Sequence, residues 1–189
     1  IYHKTPTLVA HPDAFCSRKV GGIKEIGSLI SEEKLSRHFD MALSRAPFWL
    51  TDRLVFLGEI ERNNDFEAKI PQGKISAGRG EKDDFVMDDS ALAYRSADGL
   101  VIISGCSHSG ICNIIEQAMR IFGERRVLDV DGGLHRLDPP ERQMRETLRY
   151  FERPKPREVH ACHCTYLSSK VVLADAATLN EVVLGRGIE

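Results

Sequence analysis

Hydrophobic positions follow two regimes along this chain. From about residue 85 onward, apolar runs of strand length alternate with stretches of helical spacing. Ala91-Leu92-Ala93-Tyr94 and Leu100-Val101-Ile102-Ile103 flank Ser96-Ala97-Asp98-Gly99, which predicts a hairpin. Ile111, Ile115, Ala118 and Phe122 share one face of a helix from about Gly110 to Phe122. Arg126 to Val130 reads as the next strand. Asp138 reads as the cap of a helix whose first turn is Pro139-Pro140-Glu141, with Met144, Leu148 and Phe151 as its buried stripe. Val159 to Ala161 is then a strand, Ser168 to Leu179 a helix, and Val182-Val183-Leu184 a last strand. Strand–helix alternation of this kind predicts α/β layers.

The first half is less regular. Thr7-Leu8-Val9-Ala10 reads as a short buried strand closed by His11-Pro12, and residues 16–30 as a loop. Ser31 is placed to cap a short helix through about Phe39. Met41 to Glu59 is strand-like around Phe48-Trp49-Leu50 and Leu54-Val55-Phe56-Leu57. The polar stretch 61–84 reads as a long mobile loop, of the kind that covers sites. All of this fits one domain over residues 1–189.

Three predicted strands end in a histidine-bearing run: Ser104-Gly105-Cys106-Ser107-His108-Ser109-Gly110, Asp129-Val130-Asp131-Gly132-Gly133-Leu134-His135, and His160-Ala161-Cys162-His163-Cys164-Thr165. Open α/β sheets place ligands at the carboxyl ends of their strands, so imidazoles and carboxylates gathered there suggest a metal site. His108 precedes a helix, whose free N–H groups favour an anion, and Ser107 and Ser109 add hydroxyl donors. A histidine at a tight Ser-Gly turn also reads as a cap. Strand alternation puts His160, Cys162 and Cys164 on one face and His163 on the other. The cysteines read either as small buried residues or, with His163 and Cys106, as a closed structural zinc site. Asp129 and Asp131 are candidate bridging carboxylates or solvated turn acids. Asp88-Asp89 reads as a structural turn in preference to a metal-binding or acid–base pair, Gly58-Glu59-Ile60-Glu61-Arg62 as a solvated strand end in preference to a substrate-facing turn, and His11 as structural.

Composition narrows the function. A net charge of −2 gives no electrostatic basis for nucleic-acid binding, and no apolar run approaches membrane-span length. Five cysteines, an odd number with three beside candidate ligands, favour a reducing, cytoplasmic setting over a disulfide framework.

The quoted motifs, together with His11-Pro12-Asp13-Ala14-Phe15 and Asp88-Asp89-Ser90-Ala91-Leu92, resemble the metallo-β-lactamase-fold hydrolases. The similarity extends to the branch of dihydropterin–ribofuranosylaminobenzene 5′-phosphate synthases. That resemblance implies an αββα sandwich with a two-metal site at the sheet edge. The metal would be zinc, with manganese or iron as alternatives. His108 and His163 would be ligands and His135 would lie in or beside the site; Asp131 is the nearest counterpart of the bridging aspartate, with Asp129 behind it. The family's Gly after His-Cys-Thr is Tyr166 here.

The resemblance further implies a metal-dependent hydrolase or related transferase. It would act through a metal-bound hydroxide on an ester or phosphoester-type, pterin-related small molecule, with Phe48, Trp49 and Tyr166 as candidates for a pterin slot. Members of the family carry an N-terminal His-x-His-x-Asp-His motif, which these 189 residues lack. Three readings follow: part of a longer protein whose N-terminal part is missing here, a complementing N-terminal segment on another chain, or a degenerate site. The non-catalytic alternative is a split half-domain that binds a ligand or such a segment. A homo-oligomer is compatible with each.

Overall fold

The computed structural model describes residues 4–21, 24–76 and 80–182. In chain order the elements are β1 (Thr7–Ala10), a 3-10 turn (Pro12–Phe15), β2 (Arg18–Val20), β3 (Lys24–Glu25), α1 (Glu32–Leu35), β4 (Asp40–Leu43), β5 (Phe48–Trp49) and β6 (Leu54–Phe56). They continue with β7 (Gly73–Ser76), β8 (Glu81–Asp84), β9 (Ala91–Arg95), β10 (Leu100–Ser104), α2 (Ile111–Phe122), β11 (Val127–Gly132), α3 (Glu141–Phe151), β12 (Glu158–Ala161), α4 (Leu167–Leu173) and β13 (Thr178–Leu179).

Among the described residues three sheets form. The largest has the order β13-β12-β11-β10-β9-β6-β5. β10, β11, β12 and β13 run parallel, and β9, β6 and β5 continue antiparallel. Parallel strands need helical crossovers, and α2, α3 and α4 supply them. All loops leaving β10, β11 and β12 therefore emerge on one edge. β3-β2-β7-β8 form a second sheet, and β1 and β4 a parallel pair.

The core lies between the large sheet and its helices. Ala91, Ala93, Leu100, Ile102, Val130 and Val159 from the strands meet Ile111, Ile114, Ile115 and Ala118 of α2 and Phe151 of α3, all 5% exposed or less. Each fully buried aliphatic side chain contributes about 1.5–3 kcal/mol relative to exposure. Alternation puts Leu92, Tyr94 and Ile103 on the opposite face, where Ile103 is 42% exposed. α2 stops at Gly123, which takes the left-handed conformation (φ 62°) that favours glycine.

Several sequence expectations change. The segment 61–84, read as a loop, contains β7 and β8, and residues 16–30 contain β2 and β3. Short, charged strands such as Glu81–Asp84 carry no apolar alternation, so periodicity misses them. Arg18, almost fully buried, fixes β2 to β8 by donating to Asp84 (2.8 Å) and to Asp88. α1 covers only Glu32–Leu35, with Ser31 as its cap. Pro140 rather than Asp138 begins α3, without a side-chain cap. α4 ends at Leu173, and Thr178–Leu179 forms the final described strand. Of the expected strand Val182-Val183-Leu184, the last two residues lie outside the described ones, and Val182 is not in a strand.

Candidate functional site

The three loops at the parallel edge are tied to one another by backbone bonds. Gly133 donates to Gly105 (2.8 Å), Cys162 to Gly132 (3.0 Å), Arg136 to Cys164 (2.8 Å) and Tyr166 back to Arg136 (3.1 Å). Gly132 (φ 130°) and Gly133 permit this approach. A Cβ at Gly132 would sit 2.1 Å from the Ser104 carbonyl, and one at Gly133 would sit 2.4 Å from Cys164 Sγ and 2.9 Å from a His163 ring carbon. Ser107 (φ 57°) and His135 (φ 48°) adopt left-handed backbone that costs non-glycine residues about 1–3 kcal/mol, so the surrounding bonds hold them there.

His108 and His135 come together. Their ring centroids are 4.2 Å apart, and the buried Nδ1 of His108 has no hydrogen-bond partner among the described residues. Burial first, then His108 and Arg136 nearby, push the His135 imidazole down to about 4. Both line a pocket of about 500 Å³ whose walls include Phe66, Lys69, Arg142 and Gln143. Phe48, Trp49 and Tyr166 do not line it. Trp49 instead packs edge-on against Phe122, centroids 5.0 Å apart.

His163 faces a different group. Its Nε2 lies 3.0 Å from Cys106 Sγ, and Cys106, His163 and Cys164 offer ligand atoms all within 4.8 Å of one another. The expected split of His163 from Cys164 fails because β12 ends at Ala161 and the chain turns over Cys162–Thr165, where the Thr165 N–H donates to the Cys162 carbonyl (3.0 Å). Burial, then the neighbouring Cys164 thiol, push Cys106 up to about 11, so it is a thiol unless a cation stabilises its anion. Among the described residues, His108 joins no trio with metal-sized spacing. Asp131 sits on β11 in register with Ile103 and His160 and does not line the pocket.

Ser107 lines the pocket beside His108, and the hydroxyls of Ser107 and Ser109 both donate within the protein. Ser107 Oγ donates to the Gly133 carbonyl (2.7 Å) and contacts Ser104 Oγ, while Ser109 presents both its N–H and its hydroxyl to Asp89. The amino end of α2 already holds an anion. Glu67, fully buried, accepts from the backbone of Cys112 (3.1 Å) and Asn113 (3.2 Å), from Asn64 (2.8 Å) and from Arg136 (2.6 Å). The Arg136 guanidinium also donates to the Leu134 carbonyl and to Thr147.

Glu67, Asp89 and Arg136 thus set the site's geometry, and sequence reasoning missed two of them. Glu67 lies in polar sequence with no periodic signal, and Arg136 follows His135 without a motif of its own. Asp88 and Asp89 are structural, as expected. So is His11, whose Nδ1 accepts from the Asp13 N–H and whose Nε2 lies 3.1 Å from Glu59. The Gly58–Arg62 stretch is braced rather than solvated: Arg62 donates to the Phe85 and Val86 carbonyls.

Sheet order, helical crossovers and a site at the parallel edge define a protein of the metallo-β-lactamase-type α/β fold. The chain superposes on Tm1679, described as a metal-dependent hydrolase of the beta-lactamase superfamily, with a TM-score of 0.82 and 22% identity, over 96% of this chain and 70% of that one. Among sequences, 127 residues are 35% identical to the 7,8-dihydropterin-6-methyl-4-(beta-D-ribofuranosyl)-aminobenzene-5′-phosphate synthase of Methanocaldococcus jannaschii, covering 65% of this chain and 43% of the synthase. A further 29% identity over 181 residues relates it to the uncharacterized protein MJ0448 of the same organism, covering 94% of this chain and 64% of that one. The chain therefore spans less than two thirds of either curated relative. No protein-family model matches it. Among the described residues, no helix is long and apolar enough to cross a membrane.

Proposed function

We propose that this chain carries the substrate-facing part of a metal-dependent hydrolase or related transferase acting on a phosphate-bearing small molecule. The observation that carries the reading is the unpartnered, buried Nδ1 of His108 beside the uncharged ring of His135, on the wall of a pocket that also presents Lys69 and Arg142. An orphaned imidazole nitrogen is a free metal ligand, and His163 offers another at the same sheet edge. When bound, a zinc, manganese or iron ion supplies an activated hydroxide and a Lewis acid.

The chain's own residues do the rest. Asp89 fixes the backbone beside His108 through Ser109, and the buried Glu67–Arg136 pair fixes His135 through the next residue along. Lys69 and Arg142, the latter paired with Asp65, stand on the rim where a phosphate would be held, with Asp138 also in the lining, and Phe66 gives an apolar wall suited to a flat ring. The synthase relative, named for a dihydropterin and a ribofuranosyl 5′-phosphate, supports a pterin-linked phosphate as the substrate class.

The test is metal-dependent cleavage of bis-p-nitrophenyl phosphate by the chain, alone and with the N-terminal region of MJ0448 added as a complementing segment. Turnover that appears with zinc, manganese or iron and falls about 100-fold or more in His108→Ala supports the reading. Turnover that His108→Ala leaves unchanged, or none under any of these conditions, rejects it.

The Cys106–His163–Cys164 trio favours a second reading, a structural zinc site at the same edge. In that case His108→Ala leaves bound zinc in place, and Cys106→Ser releases it.

A further inference from the structure

A second cluster lies on the face of the large sheet turned away from α2. β11 and β12 run parallel with Asp129 beside Glu158 and Asp131 beside His160. His160 and Asp129 are each only 2% exposed. His160 Nδ1 lies 2.7 Å from Asp129 Oδ1, so Nδ1–H donates to that carboxylate and Nε2 is the ring nitrogen left for a further partner. Among the described residues, Nε2 is buried without a hydrogen-bond partner, as is Asp129 Oδ2. Glu158 Oε2 lies 3.7 Å from Nε2, too far for a hydrogen bond, and accepts from Asn180 Nδ2 at 3.0 Å. A ring nitrogen facing a carboxylate across 3.7 Å calls for a positive charge at that nitrogen, which a second proton or a metal ion supplies.

We propose that Asp129, Glu158 and His160 form a divalent-cation site, in which His160 Nε2 and the Glu158 carboxylate coordinate the ion and Asp129 orients the imidazole. The ligand atoms of the three residues lie within 4.8 Å of one another. An ion about 2.1 Å from each donor, the usual zinc distance, would see the 3.7 Å separation under an angle of about 120°, near the tetrahedral value. A carboxylate behind a histidine ligand is the arrangement that fixes tautomer and raises ligand basicity at zinc sites. Glu158 is half-exposed, so water reaches the remaining coordination positions. Imidazole with carboxylate suits zinc over magnesium or calcium. The site stands apart from the pocket that holds His108 and His135, and from the thiol group at His163.

The experiment is a titration with zinc alone against a chromophoric chelator, in a Cys106→Ser/His108→Ala/His163→Ala background that removes the ligands of the loop edge. About one zinc per chain is expected to remain. In that background, Glu158→Gln is expected to weaken binding at least tenfold, and Asp129→Asn about 10–100-fold. A background that binds no zinc, or binding that Glu158→Gln leaves unchanged, overturns the proposal and leaves a buried histidine–carboxylate pair only. Should the background fail to fold by circular dichroism, Glu158→Gln alone decides. The half-exposed Glu158 tolerates the substitution, and zinc per chain must then drop by about one relative to wild type; an unchanged content overturns the proposal.

Discussion

Replacing Glu67 by Gln removes one charge from a site where nothing else can compensate it. Glu67 is fully buried and Arg136 is 1% exposed, so the guanidinium loses its only counter-ion among the described contacts at 2.6 Å and cannot reach water. Breaking a buried pair from one side typically costs about 3–5 kcal/mol, because the remaining charge stays buried and unpaired. The amide keeps the shape and one acceptor oxygen for the Cys112 and Asn113 N–H groups, so the loss is electrostatic more than steric. For a chain of this length, about 2–4 °C per kcal/mol translates to a fall in Tm of about 6–20 °C. Thermal and urea unfolding of the metal-free chain followed by circular dichroism reads both quantities. The double variant Glu67→Leu/Arg136→Met should be less destabilised than the sum of the two single variants, since neither charge is then left behind. A Glu67→Gln variant within about 1 kcal/mol of wild type would refute the claim that this pair holds the site together.

Three further outcomes follow from the same geometry. His135 titrates at about 4 in the folded chain against its ordinary 6.5, so the unfolded state binds more protons between those values. Stability of the metal-free protein is therefore full above pH 6.5 and falls as pH drops toward 4, and His135→Gln should flatten that slope in urea midpoints measured against pH; equal slopes contradict it. Gly133→Ala pushes a methyl into Cys164 Sγ and the Gly105 carbonyl, and is expected to lower metal uptake together with a loss of about 1–3 kcal/mol; unchanged uptake contradicts the close packing of the loops. Asp89→Ala frees the Ser109 N–H and hydroxyl, and should cost about 1–3 kcal/mol and shift the His108 resonances in NMR spectra; His108 signals that do not move would mean Asp89 does not position it.

The second half of the fold was legible because its strands are buried on the helix face and its helices are amphipathic. Leu100 to Ser104 and the Ile111–Phe122 stripe carry their burial in their pattern. The first half was not. β2, β7 and β8 are held by ion pairs such as Arg18–Asp84 and Lys74–Asp83, between residues far apart in sequence or polar enough to look like loop. At the edge, the sequence located every histidine-bearing loop, since each follows a strand. It could not show that His108 pairs with His135 while His163 turns toward Cys106, because those choices depend on left-handed backbone at Ser107 and His135 and on the turn after Ala161. Nor could it show that the amino end of α2 is filled by Glu67, a contact across 45 residues.

The central claim is that the edge of the parallel strands binds metal through His108 and His163. Elemental analysis of the purified chain, beside a His108→Ala/His163→Ala variant shown to be folded, tests it most directly. The account predicts zinc, manganese or iron in the wild-type chain and a loss of about one ion per chain in the variant. Wild-type protein free of metal after purification in zinc-supplemented buffer, or a metal content identical in the two proteins, would contradict it.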